Sequence, residues 1–521
     1  MIQNPILKGF NPDPSIVRAG EDYYIAVSTF TWFGGVQIHH SRDLKHWRLH
    51  SRPLSRISQL DMTGIPNGGG IWAPCLTYDN GTFYLVYTIV KQKGLIMQTD
   101  NYLVTTTDID GAWSEPVYLD SDGFDPSLFH ENNGSKWLLN LDNHYREGQH
   151  FNGLYLYRLD NALRVTGKRV KIYDNPAEEL VEGSHIYQHG GYYYLLKAQG
   201  GTGVQHSSQM ARSKSLFGPY EDCPFMLMTS RDNPAAPLQK AGHADLVETQ
   251  NGEWYMVHLS STWIPGTEVS TLGRETSIQK VEWTEDGWLR LSSGGHCPQV
   301  MVEEADLSEF PFPPKPERVR FDMGKLDSEF QTLRLPLSEE ELSFSARPGY
   351  LRLRGGAGLT SNYRQSLIAR RMEAHHAQAS AWMEFEPDTE KEMAGLVVMY
   401  DTEHWYYLFV SRNDETGRKE LNVLGCDRGA GIYPACAQVI LDEHRPVVLR
   451  ADINGKTLAF SYSYGEEMQF EQVVSGLDMT ILTDEHIPFG FMGTMLGICC
   501  QDLHRYRKHA DFKWFEYRNL R

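Results

Sequence analysis

One five-residue phrase recurs five times along this chain, and it limits the fold more than any other feature. It reads Asp13-Pro14-Ser15-Ile16-Val17, Ala73-Pro74-Cys75-Leu76-Thr77, Asp125-Pro126-Ser127-Leu128-Phe129, Glu182-Gly183-Ser184-His185-Ile186 and His243-Ala244-Asp245-Leu246-Val247. After each copy comes a turn with glycine and then an aromatic-rich apolar run, as in Gly20…Tyr23-Tyr24-Ile25 and Gly252…Trp254-Tyr255-Met256. The heads lie 60, 52, 57 and 61 residues apart. A period of that length, filled with short aromatic and β-branched runs, predicts the blades of a β-propeller, each a small antiparallel sheet. Five heads predict five blades, ending near Asp306. In a closed ring the heads converge on the axis and bring Asp, Ala, Asp, Glu and His together.

At 521 residues the chain exceeds the size at which one core keeps growing, so a second domain is expected. The net charge of −18 disfavours nucleic acid and anionic membrane as partners. No apolar run approaches the roughly 18 residues of a spanning helix. The start, Met1-Ile2-Gln3-Asn4-Pro5, lacks the basic and apolar regions of a secretory signal, so a cytoplasmic protein is expected. Seven cysteines without CxxC spacing fit reduced thiols better than a zinc or disulfide framework.

Four prolines in Phe310-Pro311-Phe312-Pro313-Pro314-Lys315-Pro316 exclude a helix interior or central strand. The segment 307–320 is therefore predicted to be a stiff linker between a propeller over 1–306 and a second domain over 321–521. That domain shows short alternating strands at Tyr350–Arg354, Ala381–Phe385, Leu396–Tyr400, Trp405–Val410, Val447–Ile453 and Leu458–Tyr464. With Gly, Asn and Asp turns between them, they predict a β-sandwich. The whole chain is thus expected to be all-β.

Two carboxylates across a glycosidic bond are the minimal equipment for glycoside hydrolysis, and Asp13, Asp125 and Glu182 supply a pair and a spare. Three neighbouring carboxylates cannot all ionise freely, so at least one should hold its proton near neutral pH. An Asp before Pro also caps turns, but three acidic heads in register across five repeats favour chemistry. Trp72, before the second head, and Phe30, after the first blade's second strand, are placed to give a sugar an apolar face. His243 could bind a hydroxyl, adjust a carboxylate or hold a cation through water. Arg274 carries little information from its local sequence alone.

Asn11-Pro12-Asp13-Pro14-Ser15, Ile71-Trp72-Ala73-Pro74, Gly123-Phe124-Asp125-Pro126-Ser127, Val181-Glu182-Gly183-Ser184-His185, Ala241-Gly242-His243-Ala244-Asp245 and Leu272-Gly273-Arg274-Glu275-Thr276 together resemble glycoside hydrolase family 43. More narrowly the chain is similar, end to end, to that family's two-domain β-xylosidases. The resemblance implies a five-bladed propeller with a β-sandwich that partly closes the pocket. It implies Asp13 as general base, Glu182 as general acid and Asp125 as the carboxylate that orients and tunes Glu182, with Phe30, Trp72, His243 and Arg274 lining the terminal sugar subsite. An inverting displacement follows, for which the two carboxylates stand roughly 6.5–9.5 Å apart. The implied reaction releases D-xylose from the non-reducing end of β-1,4-xylo-oligosaccharides, with a side activity on α-L-arabinofuranosides. No cofactor is required, no protein metal site is assigned, and a divalent cation such as calcium at the propeller axis is left open. A homo-oligomer, dimer or tetramer, is also implied. Two departures stand out: Ser184 where Pro is commoner, and Met495 where relatives often carry a nearby Phe that closes the pocket.

Three other readings compete. One is α-L-arabinofuranosidase as the main activity. Another is a retaining invertase- or levansucrase-like enzyme, which shares the five-bladed layout and three carboxylates. The third is a non-catalytic sugar-binding propeller.

Overall fold

The glycine that follows each copy of the phrase turns the chain back on itself. Gly20, Gly81, Gly134, Gly191 and Gly252 have φ between 68° and 86°, a backbone state that residues with a Cβ rarely adopt. In the computed structural model, which describes residues 1–94, 96–145, 151–175 and 180–520, each of these turns joins two antiparallel strands. Arg521, the last residue of the predicted second domain, lies outside the described residues.

Five antiparallel sheets result among the described residues. Their innermost strands are Ser15–Ala19, Cys75–Asp79, Ser127–His130, Val181–His189 and Gln239–Glu248. Each innermost strand touches the next, and the last touches the first, so the sheets form the blades of a five-bladed propeller. The apolar cores lie between blades. Ile16, Tyr23 and Ile25 of the first blade pack with Val247, Tyr255 and Ile278 of the fifth. Leu196 and Met210 pack with Leu246 and Met256, and Leu139 and Leu156 with Val181 and Leu195.

The N-terminus closes the ring against the last blade. Ile2–Gln3 pairs with Met301–Val302, Leu7 bridges Thr276, and the Asn11 amide donates to the Arg274 carbonyl at 2.9 Å. The Asn4 side chain adds bonds to the carbonyls of Ile278 and Gln299.

The compact units are Met1–Asp61 with Gly69–Thr262 and Arg274–Phe312, and Met62–Gly68 with Trp263–Gly273 and Pro313–Arg521. Two segments within the first 306 residues thus belong to the second unit. Arg334, fully buried, holds one of them through the Ile65 carbonyl at 2.8 Å and Asn67 Oδ1 at 3.0 Å. The second unit is a sandwich of two eight-stranded antiparallel sheets. The predicted linker ends in a strand, because Arg318–Arg320 pairs with Trp514–Glu516. Met495 opens the strand Met495–Asp502, where it is fully buried and paired with Arg371 and Met399. All seven cysteines are free thiols.

Candidate active site

The heads share an unusual backbone. Asp13, Asp125 and His243 have φ of 53°, 53° and 50°, and in the fourth copy Gly183 takes that state at 53°. Among residues with a Cβ, Asp and His are among the few that tolerate it, through short polar side chains. In the fourth and fifth blades the strand register slips at the head, between Glu182 and His185 and again between Gly242 and Ala244. Such bulges re-aim a side chain out of the ladder. With these kinks Asp13, Asp125, Glu182 and His243 lie within electrostatic reach of one another.

The third residue of the phrase has a different task. Asp245 Oδ2 accepts from Ser15 Oγ and the Ile16 amide, both at 2.8 Å, and Ser15 Oγ accepts from the Leu76 amide at 3.0 Å. Ser127 Oγ donates to the Ser184 carbonyl at 2.6 Å, and the Tyr187 hydroxyl donates to Asp245 Oδ1. These buried bonds tie blade five to one, one to two, three to four and four to five. The heads are left to the pocket while their neighbours hold the ring. Ser184 fills this role through its backbone, which any residue supplies.

Asp13 and Arg274 are both nearly inaccessible, and Nη1 donates to Oδ1 at 2.6 Å. They are 261 residues apart and meet only because the N-terminal segment is laced to the last blade. Arg274 also lies over the Phe30 ring, 5.2 Å from its centroid. Phe30 is 6.2 Å from Trp72, and Trp72 meets the edge of Phe124 at 5.0 Å. The three rings form one aromatic wall beside the guanidinium.

Glu182 is buried, and its Oε1 has no hydrogen-bond partner. Burial first, and then the Asp13 charge, raise its pKa from 4.5 to about 7, against the pull of Arg274. Asp125 is raised well above its ordinary value by burial and by the charges of Glu182 and Asp13, despite Arg274 and the Gly183 amide. Asp125 and Glu182 line one small cleft with Leu139, Asn140 and Leu141. The Arg274 guanidinium is hydrogen-bonded to Asp13, while burial and neighbouring negative charge favour the protonated forms of Glu182 and Asp125.

His243 is held neutral, its pKa lowered to about 4 chiefly by burial. A Cβ at Gly183 would come within 2.9 Å of three atoms of its ring, so glycine is needed there for packing as well as for φ. Behind it, a Cβ at Gly242 would collide with the His206 ring, and His206 is likewise neutral through burial.

All seven predicted residues lie in the first unit. Asp13, Asp125, Glu182, His243 and Arg274 are electrostatically coupled, Phe30 lies against the guanidinium, and Trp72 lies beside Phe30. Sequence reasoning missed Phe124, Gly183, His206 and Asp245. Phe124 had a signal, since it precedes its head as Trp72 precedes Ala73. Arg274 Nη1 takes up one oxygen of Asp13 at the axis. Among the described residues the only His, Cys, Asp or Glu set with ligand spacing lies in the second unit.

Comparison with known proteins agrees with this geometry. The glycosyl hydrolases family 43 profile matches residues 2–289, and that of the beta xylosidase C-terminal concanavalin A-like domain matches 318–518. A beta-xylosidase of Bacillus subtilis is 43% identical over 99% of both chains. A xylosidase/arabinosidase 43B of Humicola insolens is 42% identical over 99% of this chain and 97% of its own. The crystal structure of a xylan beta-1,4-xylosidase from Bacillus halodurans superposes with a TM-score of 0.97 at 48% identity, covering all of both chains. The propeller with its axial carboxylates and the sandwich that follows it identify the chain as a two-domain member of glycoside hydrolase family 43.

Proposed function

We propose that the chain is an exo-acting, inverting β-xylosidase that releases D-xylose from the non-reducing end of β-1,4-xylo-oligosaccharides. The observation that carries this reading is the asymmetry of the carboxylates. Asp13 has a buried guanidinium at 2.6 Å, whereas Glu182 is pushed up to about 7 and has an unpartnered oxygen. Asp13, as general base, removes a proton from a water that attacks the anomeric carbon. Glu182 gives its proton to the departing glycosidic oxygen as the bond breaks. Asp125, beside Glu182 in the same cleft, keeps that proton in place until the leaving group takes it. Phe30 and Trp72 receive the apolar face of the terminal sugar, while Arg274 and neutral His243 supply polar contacts to its hydroxyls.

Similarity to a relative called xylosidase/arabinosidase supports a side activity on α-L-arabinofuranosides. The steps use side chains alone. Exhaustive chelation is expected to leave kcat within twofold, and a loss restored by calcium would overturn this. The test of the whole reading is a panel of aryl β-xyloside, aryl α-L-arabinofuranoside and xylobiose, with proton NMR of the first anomer released. Xylobiose cleaved to α-xylose is expected. A β-anomer would sink inversion, and a faster arabinofuranoside than xyloside would reverse the main activity.

A further inference from the structure

We propose that His404, Asp427 and His486 form a site for one first-row divalent metal ion of the zinc type, which staples a loop to a sheet edge in the second unit. The three residues come from separate parts of the chain. His404 opens the strand His404–Arg412, Asp427 closes Lys419–Asp427, and His486 lies in the turn after the short helix Met479–Leu482. Trp405 pairs with Cys426, so the ladder brings His404 and Asp427 side by side at its end. One ligand atom from each lies within 4.8 Å of the others. Bonds of about 2.0–2.2 Å draw tetrahedral ligands to roughly 3.5 Å apart, so small rotamer shifts would complete the set.

The stronger argument is the buried nitrogen. His404 is 3% exposed, and its Nδ1 hydrogen-bonds Asp401 Oδ1 at 2.8 Å. Asp401 can only accept when ionised, so Nδ1 is the donor in this bond and Nε2 is the ring nitrogen left for another partner. Nε2 has no hydrogen-bond partner, and Asp427 Oδ1 stands 3.7 Å from it, beyond hydrogen-bond range. This buried nitrogen, the Asp427 oxygen and His486 Nε2 face one another across a space that one shared metal ion would fill. A carboxylate behind a histidine, fixing its tautomer and raising its basicity, is the usual support of a metal-ligating imidazole. His486 Nε2 lies 2.8 Å from the same Asp427 oxygen, where a metal would replace the shared proton.

Two imidazoles and one carboxylate select zinc, cobalt or nickel over calcium or magnesium, which take oxygen ligands. The staple would fix a loop already tied at other points. The Tyr400 hydroxyl bonds Asp484, the Met492 amide donates to Tyr400 at 2.9 Å, and the Ser270 amide donates to Glu485 at 3.2 Å.

The full chain, stripped with chelator, is titrated with Zn2+ by calorimetry and with Co2+ by visible absorption. One equivalent of Zn2+ with micromolar or tighter affinity, a higher Tm and a Co2+ d–d band are expected. His486→Ala, at a partly exposed position that should fold normally, is expected to lose that equivalent and the band, and Asp427→Asn to bind at least tenfold more weakly. The surface control His504→Ala should match the parent chain. Millimolar or weaker Zn2+ binding, binding unchanged in His486→Ala, or equal competition by Ca2+ would overturn the proposal.

Discussion

Buried carboxylates are treated in opposite ways by the propeller axis and by the sandwich. In the sandwich, burial raises the Asp511 pKa, but Arg352 at 2.7 Å and Arg347 at 2.8 Å more than offset it, and the group ends below its ordinary value. Asp502 accepts four backbone amides, from His504, Arg505, Arg507 and Lys508, and is also held low. Glu329, with Lys315 at 2.8 Å, falls to about 2. At the axis the same burial is left largely uncompensated, so Glu182 rises to about 7 and Asp125 rises as well. A buried carboxylate that is satisfied holds structure together, and one left unsatisfied can exchange a proton. For these five carboxylates the direction of the shift follows how far the buried charge is compensated.

The largest effects should come from removing the two reacting groups. Asp13→Ala and Glu182→Ala are each expected to lower kcat by about 10³–10⁴ on xylobiose. The comparison sharpens with leaving group. An aryl β-xyloside whose phenol is strongly acidic needs no proton, so it should restore much of the rate to Glu182→Ala and little to Asp13→Ala. Equal rescue of both variants would break the assignment of acid and base. In the parent enzyme kcat/KM should fall above pH about 7, as Glu182 loses its proton.

Next in size is Arg274→Ala. It leaves Asp13 buried without its guanidinium and removes a contact to Phe30. Breaking a buried pair from one side costs about 3–5 kcal/mol. A loss of kcat/KM of about 10²-fold with a lowered Tm is expected, and a variant with parent-like rates would show that the pair is only structural.

Arg274 also marks where the sequence stops being informative. Asp13, Asp125 and Glu182 were legible because a repeat places equivalent residues in equivalent positions, and their differences can be read in register. Arg274 lies outside the phrase, and its partnership with Asp13 depends on ring closure between chain segments 261 residues apart. No local pattern encodes such a contact. The segments Met62–Gly68 and Trp263–Gly273 escaped for a related reason: they interrupt blades without any apolar periodicity of their own, and their partners lie in the second unit. In the sandwich, strands were read from short alternating apolar and aromatic runs. Met495–Asp502 and Ser366–Arg371 were not: they are buried throughout like Leu396–Tyr400 and Trp405–Val410, but Gly497, Gln501 and the pair Arg370-Arg371 break their apolar runs.

A third prediction concerns stability alone. Asp511→Asn removes the charge that satisfies Arg352 and Arg347 and should destabilise the chain by about 2–3 kcal/mol at pH 7. The Asp511 pKa is lowered in the folded state, so its contribution is present above the ordinary value of 3.8 and is lost as pH falls through the folded value. The penalty of the variant, read as a difference in Tm, should therefore shrink in acid.

The smallest effect is also the one that inverts the sign. Glu182 has a folded pKa of about 7 against an ordinary 4.5, so the folded chain holds a proton there that the unfolded chain releases. Its contribution is full below pH 4.5 and is lost as pH rises through about 7. Above that pH the fold carries a buried, ionised carboxylate with an unpartnered oxygen. Glu182→Gln keeps the shape and removes the charge. It should abolish turnover of xylobiose while raising stability by about 1–2 kcal/mol at pH 8, with no gain at pH 4.5. Circular-dichroism melts of parent and variant at both values measure this. If Glu182→Gln lowers Tm at pH 8 as Asp511→Asn does at pH 7, then the axial carboxylates are as well satisfied as those of the sandwich, and the contrast between the two regions fails.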